Sequence, residues 1–160
     1  MLRVVVPLLL AMPWACRAPA SAPPPSDPYV LVLGTAQDGG LPQIGCECRA
    51  CEDARSDPGR RRLVTSLLVV DPRSGRRWLL DASPDLPRQV ELARGHPSTR
   101  AVQGPRPPLF DGVFLTHAHV GHYAGLIHLG RESMDIQGLP LYVSSRMAGF
   151  LRANAPWSQL

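Results

Sequence analysis

A chain of 160 residues is long enough for one domain with its own core, and its 44% hydrophobic content excludes an intrinsically disordered protein. The formal net charge is +4, and all 17 basic residues are arginines. These arginines are scattered and do not alternate with aromatic residues, so we expect no nucleic-acid partner.

The N-terminal segment has the features of an export signal. Residues 4–15 are almost entirely apolar, but the run is too short to span a bilayer. Cys16 directly follows an alanine, as in a bacterial lipoprotein cleavage site, although Pro13 stands where leucine is usual. Plain cleavage within residues 18–22 is the alternative. We predict a leader at residues 1–16 and an exported protein, either periplasmic or tethered to a membrane through a lipidated Cys16.

Residues 17–28 are rich in proline, which fixes φ and removes backbone N–H donors. We expect this segment to be an extended tether, with the folded domain at residues 29–160. From the N-terminus, the predicted elements are a strand at 29–33, a Gly-rich loop at 34–45, a hairpin of strands at 62–70 and 77–81, a helix at 83–93 capped by Ser83, a strand at 112–116, a helix at 122–132, a strand at 139–143, and a helix that is capped by Ser144 or Ser145 and reaches residue 153. Strands that alternate with helices indicate an α/β fold.

Three cysteines lie close together in a segment that we expect to form one short loop. Cys46, Cys48 and Cys51 have a Cys-x-Cys-x-x-Cys spacing, and thiolates so close in sequence favour a tetrahedral structural zinc site. A disulfide is the alternative, because an exported protein meets an oxidising environment. His96 is a candidate for a fourth zinc ligand.

Three histidines follow the apolar strand at 112–116. His117 and His119 are two residues apart in an extended segment, so their side chains point to the same side. His122, just beyond, can reach the same ion or a neighbouring one. Imidazole is a common ligand for both zinc and iron, so this motif predicts a zinc or iron site. The alternative is a polar loop that happens to contain several histidines. We expect His128 to pack on the surface of the following helix.

The order of these features resembles the metallo-β-lactamase fold, an αβ/βα sandwich of two halves. Within that fold, the details are similar to the coenzyme PQQ synthesis protein B group. The resemblance covers residues 29–160, and only 38 residues follow His122, so we expect the N-terminal half of the sandwich. The stretches that carry it are Gly39-Gly40-Leu41-Pro42-Gln43, the cysteine motif, Arg77-Trp78-Leu79-Leu80, Ala82-Ser83-Pro84-Asp85 and Leu139-Pro140-Leu141-Tyr142.

The resemblance implies roles for particular residues. His117 and His119 match two ligands of a first metal, and His122 matches a ligand of a second metal. Asp81 matches the acid that orients the histidine loop from behind the ligands. The fold's usual His-x-His-x-Asp-His motif has Gly121 in place of the aspartate, which would be both a second-metal ligand and a proton acceptor. An ordinary two-metal hydrolase is therefore not expected.

Three hypotheses about function follow. The first is a metal-dependent enzyme that acts on a small-molecule substrate, using a metal-bound water for hydrolysis or an oxygen species to oxidise a PQQ precursor; zinc would favour hydrolysis and iron oxidation. The second is an exported, non-catalytic binding or carrier protein for a quinone cofactor or its precursor, with loop 34–45 as a pocket wall. The third is a non-functional fragment whose uncovered sheet would aggregate or form a homodimer.

Overall fold

The computed structural model describes residues 25–94, 96 and 109–159. The predicted leader at 1–16, including Cys16, and most of the tether at 17–28 lie outside the described residues. Within the described ranges, no helix is long and apolar enough to cross a membrane.

Five strands form one sheet, and helices pack against one of its faces. The strands are β1 (Tyr29–Gly34), β2 (Ser66–Asp71), β3 (Arg76–Leu80), β4 (Gly112–Phe114) and β5 (Leu141–Tyr142). The α-helices are α1 (Arg49–Ser56), α2 (Leu86–Arg94), α3 (Val120–Tyr123) and α4 (Ser145–Ala153), and short 3₁₀ helices span Pro58–Arg60, Ala124–Leu129 and Trp157–Gln159. Every predicted strand is confirmed, with bounds that differ by a few residues.

The strand order in the sheet is the order in the sequence, β1-β2-β3-β4-β5. β2 is antiparallel to both β1 and β3, whereas β4 runs parallel to β3 and β5 runs parallel to β4. Successive side chains of a strand point to opposite faces, so the sheet has an inner and an outer face. The inner face forms the core with the helices; its buried residues include Leu68, Val70, Leu79, Val113, Leu86, Leu126, Leu129, Met147 and Leu151.

The outer face of the sheet is apolar and largely exposed. Val30 pairs with Val69, Val69 with Trp78, and Leu80 with Phe114, so these side chains share a face. Val32 is 57% exposed, and the ring of Phe114 stacks on a neighbouring tyrosine with a centroid distance of 4.3 Å. We call this surface the outer face; its residues are Val30, Val32, Val69, Trp78, Leu80, Phe114 and Tyr142.

Helix α2 is tied at its start to the segment that precedes β2. The Ser83 hydroxyl accepts from the backbone N–H of Asp85 (3.1 Å) and donates to the buried Gln89 (2.8 Å). Because α2 begins at Leu86, Ser83 lies in the turn before the helix rather than at the predicted N-cap position. The amide of Gln89 donates to the carbonyl of Val64 (2.7 Å), and Asp85 accepts from the N–H of Val64 (2.9 Å). At α4 the predicted cap is confirmed, because Ser144 accepts from the N–H of Met147 (3.3 Å).

The prediction that the cysteine motif forms one short loop was wrong. Cys48 is the residue before α1, and its carbonyl accepts from the N–H groups of Cys51 (2.9 Å) and Glu52 (3.0 Å). These bonds start a helix, so Cys51 lies in the first turn of α1. The motif is therefore half loop and half helix.

The predicted helix at 122–132 was also wrong. Helix α3 ends at Tyr123 and a 3₁₀ helix follows, because the backbone here bonds across to the segment after β3. The carbonyl of His122 accepts from the N–H of Ala82 (2.9 Å), and the N–H of Gly125 donates back to the carbonyl of Ala82 (2.9 Å). Backbone groups that make these hydrogen bonds cannot also make the hydrogen bonds of an α-helix.

Candidate functional site

Asp81 is the central buried group of the histidine site. It directly follows β3, is 5% exposed, and has a φ of 64°, a left-handed conformation that aspartate tolerates better than most residues. Its backbone N–H donates to the carbonyl of Phe114 (2.8 Å), and its own carbonyl accepts from the Ser66 hydroxyl (2.9 Å). These two bonds fix the backbone of Asp81 between β2 and β4.

The carboxylate of Asp81 accepts hydrogen bonds from two residues of the histidine segment. Thr116 donates its backbone N–H (2.8 Å) and its hydroxyl (2.8 Å to the nearer oxygen). His122 Nδ1 lies 2.8 Å from Oδ2 of the carboxylate, whereas the Thr116 N–H bonds to Oδ1. An ionised carboxylate can only accept, so the proton of His122 lies on Nδ1 and the lone pair on Nε2.

Thr116 sets the tautomer of His117 in the same way. This role of Thr116 was not predicted from the sequence. Its hydroxyl oxygen lies 2.9 Å from His117 Nδ1. The single hydroxyl hydrogen is directed to Asp81, so the oxygen accepts from His117, which also carries its proton on Nδ1. The available signal was a hydroxyl residue immediately before the first histidine of the motif.

The structure brings the three predicted histidines next to one another. The ring of His117 lies 4.6 Å from that of His119 and 3.9 Å from that of His122, measured between centroids. The side chain of His122 is 14% exposed, whereas that of His119 is 74% exposed. In the part of the chain that the structure describes, their ligand nitrogens form a looser group than the cysteine sulfurs do.

A carboxylate that sequence reasoning missed completes this cluster. Asp38, from the Gly-rich loop after β1, places Oδ1 3.2 Å from His122 Nε2 and Oδ2 3.8 Å from His119 Nδ1. It therefore faces the nitrogen that Asp81 leaves free. Nothing in the spacing of the histidine motif pointed to it, because the two segments are distant in sequence.

A cavity of about 340 Å³ opens beside His117. Its walls come from the end of β4 and from α4, and they include Tyr123, Phe150 and the cation Arg146. The edge of the Phe150 ring contacts the Tyr123 ring at a centroid distance of 5.7 Å. Its lining thus combines aromatic side chains with one cation.

The cysteines form a second, separate cluster. The sulfurs of Cys46, Cys48 and Cys51 all lie within 4.8 Å of one another, and all three residues are free thiols. Among the described residues this is the one group of three histidine, cysteine or carboxylate side chains that is so tight, and His96 is not a member. The N–H of Gln43 donates to the sulfur of Cys51 (3.4 Å). Three soft sulfur ligands in this arrangement fit zinc.

Hydrogen bonds within the cluster shift the pKa values of the Cys46 and Cys48 thiols in opposite directions. The backbone N–H of Cys51 lowers the pKa of the Cys48 thiol, and the sulfurs of Cys46 and Cys51 lower it further. For Cys46 the backbone N–H of Cys48 also lowers the pKa, but the neighbouring sulfurs outweigh it and the pKa is raised. The Cys48 thiol therefore ionises more readily than that of Cys46, and the thiolate is the form that binds metal.

Comparison with known proteins identifies the family of this chain. Residues 76–160 match the model of the beta-lactamase superfamily domain. The chain belongs to the beta-lactamase superfamily. The predicted fold is thereby confirmed, since the five-stranded sheet with helices on one face is the part of that fold described above.

Similar superfamily members include coenzyme PQQ synthesis protein B from two bacteria. The protein of Methylobacterium radiotolerans is 40% identical over 126 residues, which are 78% of this chain and 40% of the relative. That of Rhodopseudomonas palustris is 35% identical over 132 residues, which are 82% of this chain and 40% of the relative. The chain thus spans about two fifths of the length of these curated relatives.

Two solved structures of the superfamily are similar as well. Zn²⁺-bound PqqB from Methylobacterium extorquens matches with a TM-score of 0.65 and 31% identity, over 81% of this chain and 44% of that protein. A diphosphatase from the PhnP family matches with a TM-score of 0.57 and 29% identity, over 79% and 45% respectively. This chain is therefore a PqqB-like protein of the metallo-β-lactamase fold.

Proposed function

We propose that this chain contributes the metal-binding residues of a metal-dependent enzyme that acts in PQQ synthesis. His117, His119 and His122 would hold a catalytic zinc or iron ion, and the three cysteines a structural zinc ion. The relatives named coenzyme PQQ synthesis protein B and the zinc-bound PqqB structure support this proposal.

The observation that carries the proposal is the hydrogen bonding of Asp81. Through Thr116 and directly, this one carboxylate keeps a proton on Nδ1 of both His117 and His122. Both imidazoles then present Nε2 as a ligand atom, and a carboxylate behind a histidine raises its basicity as a ligand. A polar loop that is merely rich in histidine has no need of a buried acid to set its tautomers.

The donor set is compatible with two kinds of metal chemistry. Nitrogen and carboxylate ligands suit both zinc and iron; zinc supplies Lewis acidity for hydrolysis, and iron supplies redox chemistry with oxygen. Asp81, with its oxygens occupied by Thr116 and His122, holds the ligands rather than moving protons. Arg146 in the adjacent cavity is placed to pair with an anionic group of a substrate.

Metal analysis of single variants tests the proposal. Purified protein should contain two ions per chain; His117→Ala should lose the histidine-site ion and keep the cysteine-site zinc, and Cys48→Ser should do the reverse. His128→Ala is the matched control and should retain both ions. Loss of both ions in His117→Ala, or of neither, would contradict two separate sites. In a bacterium lacking its own PQQ synthesis protein B, the gene for this chain should restore PQQ formation and its His117→Ala variant should not.

A binding or carrier protein for a quinone cofactor or its precursor is the second candidate. The cavity beside His117, with aromatic walls and one arginine, favours it. Its walls belong to α4 and the end of β4 rather than to loop 34–45. PQQ should then raise the melting temperature without being converted, and Arg146→Gln should abolish that rise.

We also propose that the protein is exported, with Cys16 lipidated and the domain tethered through residues 17–28. Fractionation of its own cells should place the protein with the membranes, and Cys16→Ser should release it. An unprocessed protein, shown by its intact mass, would contradict export.

A further inference from the structure

We infer that Asp38 is a metal ligand of the histidine site and takes the place of the aspartate that position 121 lacks. This inference rests on the proposed metal at His117, His119 and His122. It adds to that site a residue from another part of the chain, the loop between β1 and α1.

The first observation is steric. A Cβ placed on Gly121 would lie 2.6 Å from the Cβ of Asp38 and 2.7 Å from both its Cα and its Cγ. Real Cβ atoms do not approach other carbon atoms so closely, so an aspartate at position 121 and Asp38 cannot occupy this structure together. The side chain of Asp38 fills the volume in which an aspartate at position 121 would begin.

The second observation concerns the atoms that face each other. Since the proton of His122 lies on Nδ1, its Nε2 presents a lone pair, and that lone pair meets Oδ1 of Asp38 at 3.2 Å. Two acceptors at this distance repel unless a proton or a metal ion lies between them. Two ligand atoms that each bind zinc at about 2.0–2.1 Å with tetrahedral angles lie roughly 3.3 Å apart. The observed separation of 3.2 Å matches that of neighbouring ligands on one ion.

The third observation is that Asp38 is held from both sides. Before it, Ala36 forms a bridge with Val64; after it, Leu41 forms a bridge with Arg62. The N–H and carbonyl of Leu41 each bond to Arg62 at 2.9 Å. A carboxylate on a loop fixed at both ends loses little conformational freedom when it binds an ion, as a preorganised ligand should.

Metal titration of the 160-residue chain tests this inference without any assay of activity. The affinity of the histidine site for Co²⁺ would be measured by absorption spectroscopy after the cysteine site is filled with Zn²⁺. Asp38→Asn keeps the shape of the side chain and removes its charge, and it should weaken Co²⁺ binding by about tenfold or more. Asp135→Asn, an exposed aspartate outside the site, is the matched control and should bind as the wild type does.

A second variant keeps the inference testable if Asp38→Asn lowers the melting temperature. Gly121→Asp alone should weaken Co²⁺ binding, because of the overlap with Asp38, whereas Asp38→Gly combined with Gly121→Asp should bind Co²⁺ more tightly than either single variant. Wild-type affinity in folded Asp38→Asn would show that Asp38 merely pairs with a protonated His122, and would overturn this inference alone. A wild-type chain that binds no ion outside the cysteines would overturn the proposed metal site as well.

Discussion

Replacing Asp81 by asparagine should move a proton on a ligand histidine. Asparagine has the same shape and also tolerates the φ of 64°, so the backbone should stay in place. Its amide oxygen can accept the N–H of Thr116, which leaves the NH₂ group where the other carboxylate oxygen was, 2.8 Å from His122 Nδ1. Because that NH₂ group can only donate, His122 must accept on Nδ1 and carry its proton on Nε2.

The size of the effect follows from the bonds that change. Three hydrogen bonds to a charged acceptor become neutral or are lost, each weakened by about 1 kcal/mol, so the free energy of unfolding should fall by about 3 kcal/mol. With Nε2 of His122 protonated, the site loses a ligand atom until the tautomer is reversed. Metal affinity should therefore fall by about 10- to 100-fold, the usual effect of losing a partner behind a ligand.

Nitrogen-15 NMR of histidine-labelled protein reports the tautomer directly, and competition with a chelator reports the affinity for zinc. The control is Asp135→Asn, because Asp135 also has a positive φ, 49°, but is exposed. That variant should leave both measurements unchanged. If His122 keeps its proton on Nδ1 in folded Asp81→Asn, the assignment of tautomers by Asp81 is wrong.

Three further predictions concern stability and association. Gln89→Leu should lower the free energy of unfolding in urea by about 2–4 kcal/mol, because it leaves the Ser83 hydroxyl and a buried carbonyl without their partner; an unchanged midpoint would contradict this. Gly149→Ala should stabilise α4 by about 0.5–1 kcal/mol, because an added Cβ would contact nothing within 4 Å. Gly125→Ala should instead lower the free energy of unfolding by about 3 kcal/mol or more, because its Cβ would lie 1.9 Å from the Ser83 carbonyl oxygen. Val32→Lys on the outer face should reduce self-association in sedimentation experiments, and equal association in both proteins would show that this face is not the contact surface.

The parts of the fold that the sequence predicted are those governed by local pattern. Alternating apolar residues and a turn gave the β2–β3 hairpin, and Ser144 with the apolar spacing after it gave α4. The predicted helix at 122–132 was wrong because the backbone of His122 and Gly125 bonds to Ala82, which lies shortly after β3 and far away in sequence. No property of the local sequence records that partner.

The residues of the candidate site likewise fall into those that the sequence revealed and those that it did not. The histidines and cysteines were visible because their spacing in the sequence is short, and Asp81 entered through resemblance. Thr116 and Asp38 were missed, since their importance depends on which atoms they face. The absence of an aspartate at position 121 was the one sequence feature that could have prompted a search for another carboxylate next to His122.

The overlap between Asp38 and position 121 has an evolutionary consequence. The two aspartates exclude each other, so exchanging one arrangement for the other needs two substitutions. A chain with glycine at both positions would have no carboxylate there, and one with aspartate at both would have a collision between Cβ atoms 2.6 Å apart. If Asp38 binds the metal as proposed, each single substitution should weaken metal binding relative to either end point. Positions 38 and 121 should therefore change together across related sequences, with two stable pairings and few intermediates.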